Sequence, residues 1–299
     1  KMGLPGAKKT PSGQWATPAT LLEELAQAGH EVTGLVRSDR GADAVRALGA
    51  EPVRGTIEET AVLRAAAAAS DGVIHLAFNH DFSRFTESAR VEVAAIDAVG
   101  DELAGSGRPL VIASGLLGLT SGHDALETDP MPPSPRTAGF AAALALAERD
   151  VRSSVVRLAP SVHDAVPAGF VGRLAAIAGD AGRSGYVGDG AQRWPAVHRR
   201  DAARLFRLAA ERGTAGSVFH AAGEAVAVAD IAAAVGRLMG VPTEVVEPGD
   251  AEARFGFLAP LLALDTTAST ELTRAALGWA PDGAGLVDDI ARWDPAAVS

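Results

Sequence analysis

The sequence predicts an α/β fold, a doubly wound parallel sheet with a smaller C-terminal substrate lobe, on three observations. Short apolar runs alternate with amphipathic helical stretches from Val32 to Leu158. The runs are apolar throughout, as in strands buried on both faces. The stretch Ala28-Gly29-His30-Glu31-Val32-Thr33-Gly34-Leu35-Val36-Arg37 reads as a helix stop, a buried strand and a basic residue at the strand's end.

Taken in order, Lys1 to Thr20 holds three prolines, three glycines and no run of four apolar residues, so it does not read as a strand. Gly6 to Thr10 in particular is poor strand material. Thr20 to Gln27 predicts an amphipathic helix with Leu21, Leu22 and Leu25 on one face. Next come strand Glu31–Val36, a helix around Gly41–Leu48, strand Glu51–Arg54, helix Glu58–Ala69 and strand Gly72–Ala77. A long helix over Phe82–Ala104 carries Val91, Ala95, Ile96 and Val99 at apolar positions and stops at Gly105-Ser106-Gly107. Strand Pro109–Ala113, a loop to Pro135, helix Arg136–Glu148 and strand Ser153–Leu158 complete the alternation. Beyond Pro160 the texture changes. Gly169–Ala178 predicts a helix, Gly179 to Pro195 a loop, Arg200–Arg212 a helix and Ser217–Ala221 a strand. Helix Val228–Met239, strand Thr243–Glu247 and a last helix about Gly285–Trp293 follow.

The 299 residues, 47% apolar and 21% charged, are enough to bury a full core. A net charge of −10 argues against nucleic acid or an anionic membrane as partner. The absence of cysteine excludes disulfides and cysteine-ligated metal, and no His/Asp/Glu cluster has metal-ligand spacing. No apolar run reaches the roughly 18 residues of a membrane span. A soluble, cytoplasmic protein is the expectation.

The succession AGHEVTGLVR, DGVIHLAF, PLVIASG, SVVRLAPSVH and GDGAQRWPAVHRRDAARLF resembles the extended short-chain dehydrogenase/reductase family, in its atypical, NAD-dependent epimerase/dehydratase-like branch. The resemblance covers Thr20 to Trp293, and the order and spacing of the pieces carry it. It implies a Rossmann-like dinucleotide-binding domain over 1–160 and a substrate lobe over 161–299, some of whose segments return to the sheet. It also implies an NAD(P)-dependent oxidoreductase acting on a small carbonyl or hydroxyl substrate. A homodimer paired through Phe82–Ala104 and Arg136–Glu148 would accompany it.

For the cofactor, Arg37 and Ser38 would meet the adenosine ribose, where a basic residue favours NADP and NAD remains an alternative. Thr56 stands where relatives often carry an Asp that contacts adenine. Leu76, Ala77 and Phe78 would line the nicotinamide ribose. Counted back from Gly29, the family's glycine-rich turn falls on Ser12, Trp15 and Pro18, with Gly13 one residue out of place. Either that turn is remodelled and binding lost, or the written N-terminus differs from that of the folded protein. The fit of the remaining chain favours the second.

For catalysis, Ser114 matches the serine that polarises the substrate carbonyl. The family's lysine position falls near Arg136 and its tyrosine position near Pro132, while the one tyrosine, Tyr186, lies far along the chain. An arginine can hold a ribose hydroxyl or phosphate but cannot serve as a base. His163 is the best replacement for moving the proton, with His123 and His198 also facing the cleft. Arg193 and Trp194 are candidates for substrate anion and ring contacts, and His75 and His220 read as structural. Plainer readings stay open for each: a solvated Arg37, core Leu76 to Phe78, hydrogen-bonded structural histidines, a surface Arg193 and a packed Trp194. Two other classes also remain, a non-catalytic NADP-binding regulatory protein and a structural or interaction protein without cofactor.

Overall fold

The computed structural model describes residues 2–5, 17–79, 84–119 and 122–298. The first half is built from β1 (Met2–Pro5), α1 (Thr17–Gln27), β2 (Val32–Val36), α2 (Asp39–Ala47), β3 (Glu51–Arg54), α3 (Thr60–Ala68) and β4 (Gly72–His75). It continues through α4 (Phe85–Leu103), β5 (Pro109–Gly115), α5 (Thr137–Ala145) and β6 (Arg152–Leu158). One strand from far along the chain, β10 (Ser217–Ala221), joins them in a seven-stranded sheet ordered β10-β6-β5-β4-β1-β2-β3. Every neighbouring pair is parallel. Strands buried on both faces need helices on both, and β5 and β6 are buried over nearly their whole length.

The first strand corrects the sequence reading. Met2 to Pro5 forms β1, pairing with Val32 to Leu35 on one side and, through Met2 and Gly3, with Gly72 and Val73 on the other. A central slot supplies backbone partners on both edges, which overrides weak local propensity. The expected glycine-rich turn, with Gly13 and Trp15, lies outside the described residues, and Pro18 sits in the first turn of α1. The long helix is α4, described over Phe85–Leu103, and its expected start at Phe82 lies outside the described residues. Arg136 precedes α5 instead of opening it, and a 3-10 turn over Leu146–Arg149 replaces the helix's last turn.

Two cores flank the sheet. Leu21, Leu25, Leu205 and Phe206 are fully buried on the face covered by α1 and α7 (Arg199–Arg212). Leu110, Ile112, Ala143 and Leu103 fill the face under α3, α4 and α5. Arg207 ties α7 to Glu24 of α1 at 2.7 Å, and Glu211 reaches His30 at 2.9 Å.

The lobe contains β7 (Ser161–His163), α6 (Gly169–Ala181), β8 (Ser184–Val187), β9 (Arg193–His198), β11 (Glu224–Ala227), α8 (Val228–Met239) and β12 (Thr243–Val246). Short helices α9 (Ala251–Phe255), α10 (Ala259–Leu262), α11 (Glu271–Leu277) and α12 (Leu286–Ile290) end it. The strands make a three-stranded sheet β11-β9-β7 and a two-stranded one β12-β8. The expected loop Gly179 to Pro195 is therefore corrected: it completes α6, forms β8 and opens β9. Glycines and Pro195 disguise these strands, and the partner of β8 lies more than fifty positions on, at Thr243 to Val246. Trp194, Ile231, Leu286 and Trp293 centre the lobe core.

Candidate active site

In an open parallel sheet, ligands bind beyond the carboxyl ends of the strands where the strand order reverses, here between β1 and β4. The sequence supplies the ends of these strands with the residues expected to meet a ligand. Arg37 follows β2, Thr56 follows β3, Leu76 to Phe78 follow β4, and Ser114 lies near the end of β5.

At the β2 end, the Ser38 side chain accepts the Gly41 N–H at 3.1 Å and caps α2, so its hydroxyl is already engaged. Arg37 is exposed and forms no hydrogen bond or contact ion pair among the described residues, with Glu58 acting on it only at longer range. Arg54 differs, being paired with Asp39 at 2.5 Å. The Thr56 N–H donates to Glu59 Oε2 at 2.8 Å, which fixes the turn into α3.

The Arg136 guanidinium lies 4.0 Å over the Phe78 ring and donates to Glu92 Oε1 at 2.9 Å and to the Ala113 carbonyl at 3.2 Å. Phe78 meets Phe85 edge-on at 5.7 Å. Glu92 is buried, and its second oxygen, Oε2, has no partner among the described residues. Burial pushes its carboxyl up to about 7 although Arg136 opposes the shift. A charged residue on the apolar face of α4, one turn before Ile96, was the sequence signal for Glu92, and the sequence reading missed it. Ser114 Oγ makes no hydrogen bond among the described residues. The side chains of Ser114, Arg157 and His220 form one row across β5, β6 and β10. Buried Arg157 donates to the carbonyl of Asp129 at 2.7 Å and meets His220 Nε2 at 3.3 Å.

His75 and His220 are buried within their strands, as expected of structural histidines. Burial pushes both down to about 4, aided by Arg136 for His75 and by Arg157 for His220. The unfolded chain thus binds more protons than the native one between the ordinary histidine value and about 4, so each ring's contribution is complete at neutral pH and lost on acidification through that window. The loss is about 1.4 kcal/mol per pH unit for each ring. Glu92, raised rather than lowered, works the other way between about 4.5 and about 7 and cancels one of the two. Urea unfolding across pH 7 to 5 is expected to show stability falling with pH, and falling more steeply in Glu92→Gln. A flat wild-type profile would contradict the assignment.

His163, at the end of β7, and His198, at the end of β9, are register partners whose rings meet edge-on at 5.8 Å. Both face Asp289 of α12. His163 Nδ1 is 2.8 Å from Asp289 Oδ2, and His198 Nε2 is 3.8 Å from the same oxygen. Arg292 donates to Asp289 Oδ1 at 3.3 Å. Because the carboxylate accepts, His163 carries its proton on Nδ1, and Nε2 is left as an acceptor without a partner among the described residues. His198 Nδ1 accepts the Arg200 N–H at 3.3 Å, which places its proton on Nε2, toward Asp289. Burial lowers the His163 pKa, and Asp289 only partly restores it, so the ring is neutral at pH 7. Asp289 lies 126 positions from His163, and nothing local in the sequence marks it.

The other expected substrate residues scatter. His123 is exposed, 3.8 Å from Asp129. Arg193 donates through Nε and Nη2 to the two oxygens of Asp265 at 3.0 and 2.9 Å. Trp194 was expected to touch a substrate ring, but its own ring is fully enclosed and its N–H donates to the Leu261 carbonyl at 3.3 Å. Phe170 instead lies against it edge-on at 6.1 Å and is only partly buried. Among the described residues, no cluster of three or more His, Asp or Glu could hold a metal ion, and no helix is long and apolar enough to cross a membrane.

The chain is 42% identical over 276 residues to the uncharacterized protein C2A9.02 of Schizosaccharomyces pombe, spanning 91% of this chain and 93% of that one. It is 39% identical over 278 residues to the uncharacterized protein YLL056C of Saccharomyces cerevisiae, again spanning 91% and 93%. The chain belongs to the family of these two proteins. No family model matches it. In fold it is similar to the UDP-glucose 4-epimerase of Thermus thermophilus, solved in complex with NAD, with a TM-score of 0.72 and 20% identity over 97% of this chain and 96% of that one. The chain thus shares the fold of this epimerase.

Proposed function

We propose that the protein is an NADP-preferring oxidoreductase that moves a hydride between the nicotinamide and a small carbonyl or hydroxyl substrate. The observation that carries this reading is Arg37, unpaired among the described residues at the end of β2, at the crevice made by the β3-β2-β1-β4 order. The described residues fit a dinucleotide there. Arg37 and the capped N-terminus of α2 suit a ribose phosphate, Leu76, Ala77 and Phe78 suit the nicotinamide ribose, and Arg136 suits a ribose hydroxyl. When bound, the dinucleotide supplies hydride transfer.

This chain's own residues supply orientation and the proton. Ser114 Oγ hydrogen-bonds the substrate oxygen. His163 Nε2, neutral and held in one tautomer by Asp289, takes the hydroxyl proton in the oxidative direction and returns it in the reductive one. No tyrosine is needed for that proton, which accounts for Pro132 in the tyrosine position. His198 shares Asp289 and supports the tautomer.

The test is nicotinamide absorbance with a panel of carbonyls and alcohols. NADP-linked turnover supports the reading. NADPH binding without turnover would favour a regulatory protein, and binding of neither nucleotide would favour a protein without cofactor. The cytoplasm and a homodimer through α4 and α5 complete the proposal.

A further inference from the structure

Resting on that reading, we infer that Glu92 is a positioning residue for the cofactor: it holds the Arg136 guanidinium at the carboxyl ends of β4 and β5, where the remaining N–H groups meet a ribose hydroxyl of the dinucleotide. Three contacts fix that guanidinium. Arg136 Nη2 donates to Glu92 Oε1 at 2.9 Å and to the carbonyl of Ala113, the residue before Ser114, at 3.2 Å. The group also lies 4.0 Å over the Phe78 ring, just beyond β4. Arg136 Nε and Nη1 make no hydrogen bond or ion pair among the described residues. The arginine side chain keeps 23% of its surface exposed, against 3% for that of Glu92. A carboxylate that deep acts on a ligand through the arginine.

The packing around this carboxylate is close. Glu92 comes from α4 and Arg136 from the residue before α5, so the pair depends on how the two helices pass. A Cβ at Gly139 of α5 would lie 2.9 Å from Glu92 Oε2 and 3.2 Å from its carboxyl carbon, closer than a side chain tolerates. Glycine weakens a helix interior, and here it leaves the carboxylate its place. Among the described residues, Arg136 is the charged group that acts on Glu92, and His75 of β4 faces Arg136 in turn. Arg64 of α3, which also packs on α4, is spent on Asp101. Burial pushes His75 down to about 4, so its ring stays neutral while Glu92, pushed up to about 7, titrates. Above that value the ionised carboxylate holds the guanidinium by a charge-assisted bond, and below it the neutral acid holds it less well.

The experiment titrates the full chain with NADH and NADPH, followed by nicotinamide fluorescence, in the wild type, Glu92→Gln, Arg136→Met and the double variant. Glu92→Gln is expected to weaken both nucleotides alike, about tenfold at pH 8, because the ribose is common to them. Arg136→Met should weaken both at least as much, and adding Glu92→Gln to it should change nothing further. NADH is the probe for the pH series, since the 2′-phosphate of NADPH itself titrates at about pH 6. Wild-type affinity for NADH should fall about fivefold from pH 8 to pH 6, and Glu92→Gln should lose that dependence. Gly139→Ala presses on the same carboxylate and leaves its charge in place. It should weaken both nucleotides about threefold, and it carries the test if Glu92→Gln does not fold. A loss in Glu92→Gln that persists in full on top of Arg136→Met, or the same pH profile with and without the carboxylate, would assign Glu92 to packing and overturn the inference while nucleotide binding stands. Wild-type affinity in both Glu92→Gln and Gly139→Ala would do the same. Absence of nucleotide binding by the wild type would remove the parent reading and this inference together.

Discussion

Replacing His163 by alanine is expected to lower kcat by roughly 10²- to 10⁴-fold while NADPH binding stays near wild type. The ring is buried, its Nδ1–H is fixed on Asp289 at 2.8 Å, and Nε2 is the nitrogen that the proposed mechanism gives to the substrate. Asp289→Asn separates this role from packing. Arg292 donates to Oδ1 and holds the amide oxygen there, so the new NH₂ faces His163 Nδ1. That favours the Nε2–H tautomer, which cannot accept a proton. The oxidative reaction should fall by a similar factor. The residual activity's acid limb should move to lower pH, since loss of the carboxylate removes what holds the His163 pKa up. Pre-steady-state and steady-state kinetics across pH 5 to 9 would check both. A His163→Ala enzyme with wild-type kcat would assign the histidine to structure alone.

Arg37→Asp is expected to weaken NADPH binding by about 100-fold or more and leave NADH binding unchanged or improved. A charge-assisted hydrogen bond to a phosphate contributes about 1.5–3 kcal/mol, and the aspartate adds repulsion. Arg37 has no contact partner among the described residues, so little stability should be lost with it. Fluorescence titration of both nucleotides, with thermal unfolding as a control, would read the change. Equal loss for NADH and NADPH would mean that Arg37 acts on something the two share.

The sheet was legible in the sequence because buried parallel strands carry short apolar runs, Val73-Ile74 in β4, Leu110 to Ala113 in β5 and Val155-Val156 in β6. Met2 to Pro5 was not, since its strand is made by neighbours on both sides and not by its own composition. The half-exposed lobe strands β8 and β11 depend likewise on distant partners. Within the candidate site, Arg37, Ser114 and His163 could be placed by counting from strand ends. Their partners could not: Asp289 and Asp265 come from segments that only tertiary folding brings to His163 and Arg193. Trp194 read as a ligand contact because sequence alone does not say which of two neighbouring rings, Phe170 or Trp194, lies inside.

The most direct test of the account is titration of the purified protein with NADPH and with NADH, followed by nicotinamide fluorescence. Saturable binding of both, tighter for NADPH by about tenfold or more, is the result predicted from Arg37 at the end of β2. Binding of neither nucleotide would contradict the central claim, and tighter binding of NADH would contradict the role given to Arg37.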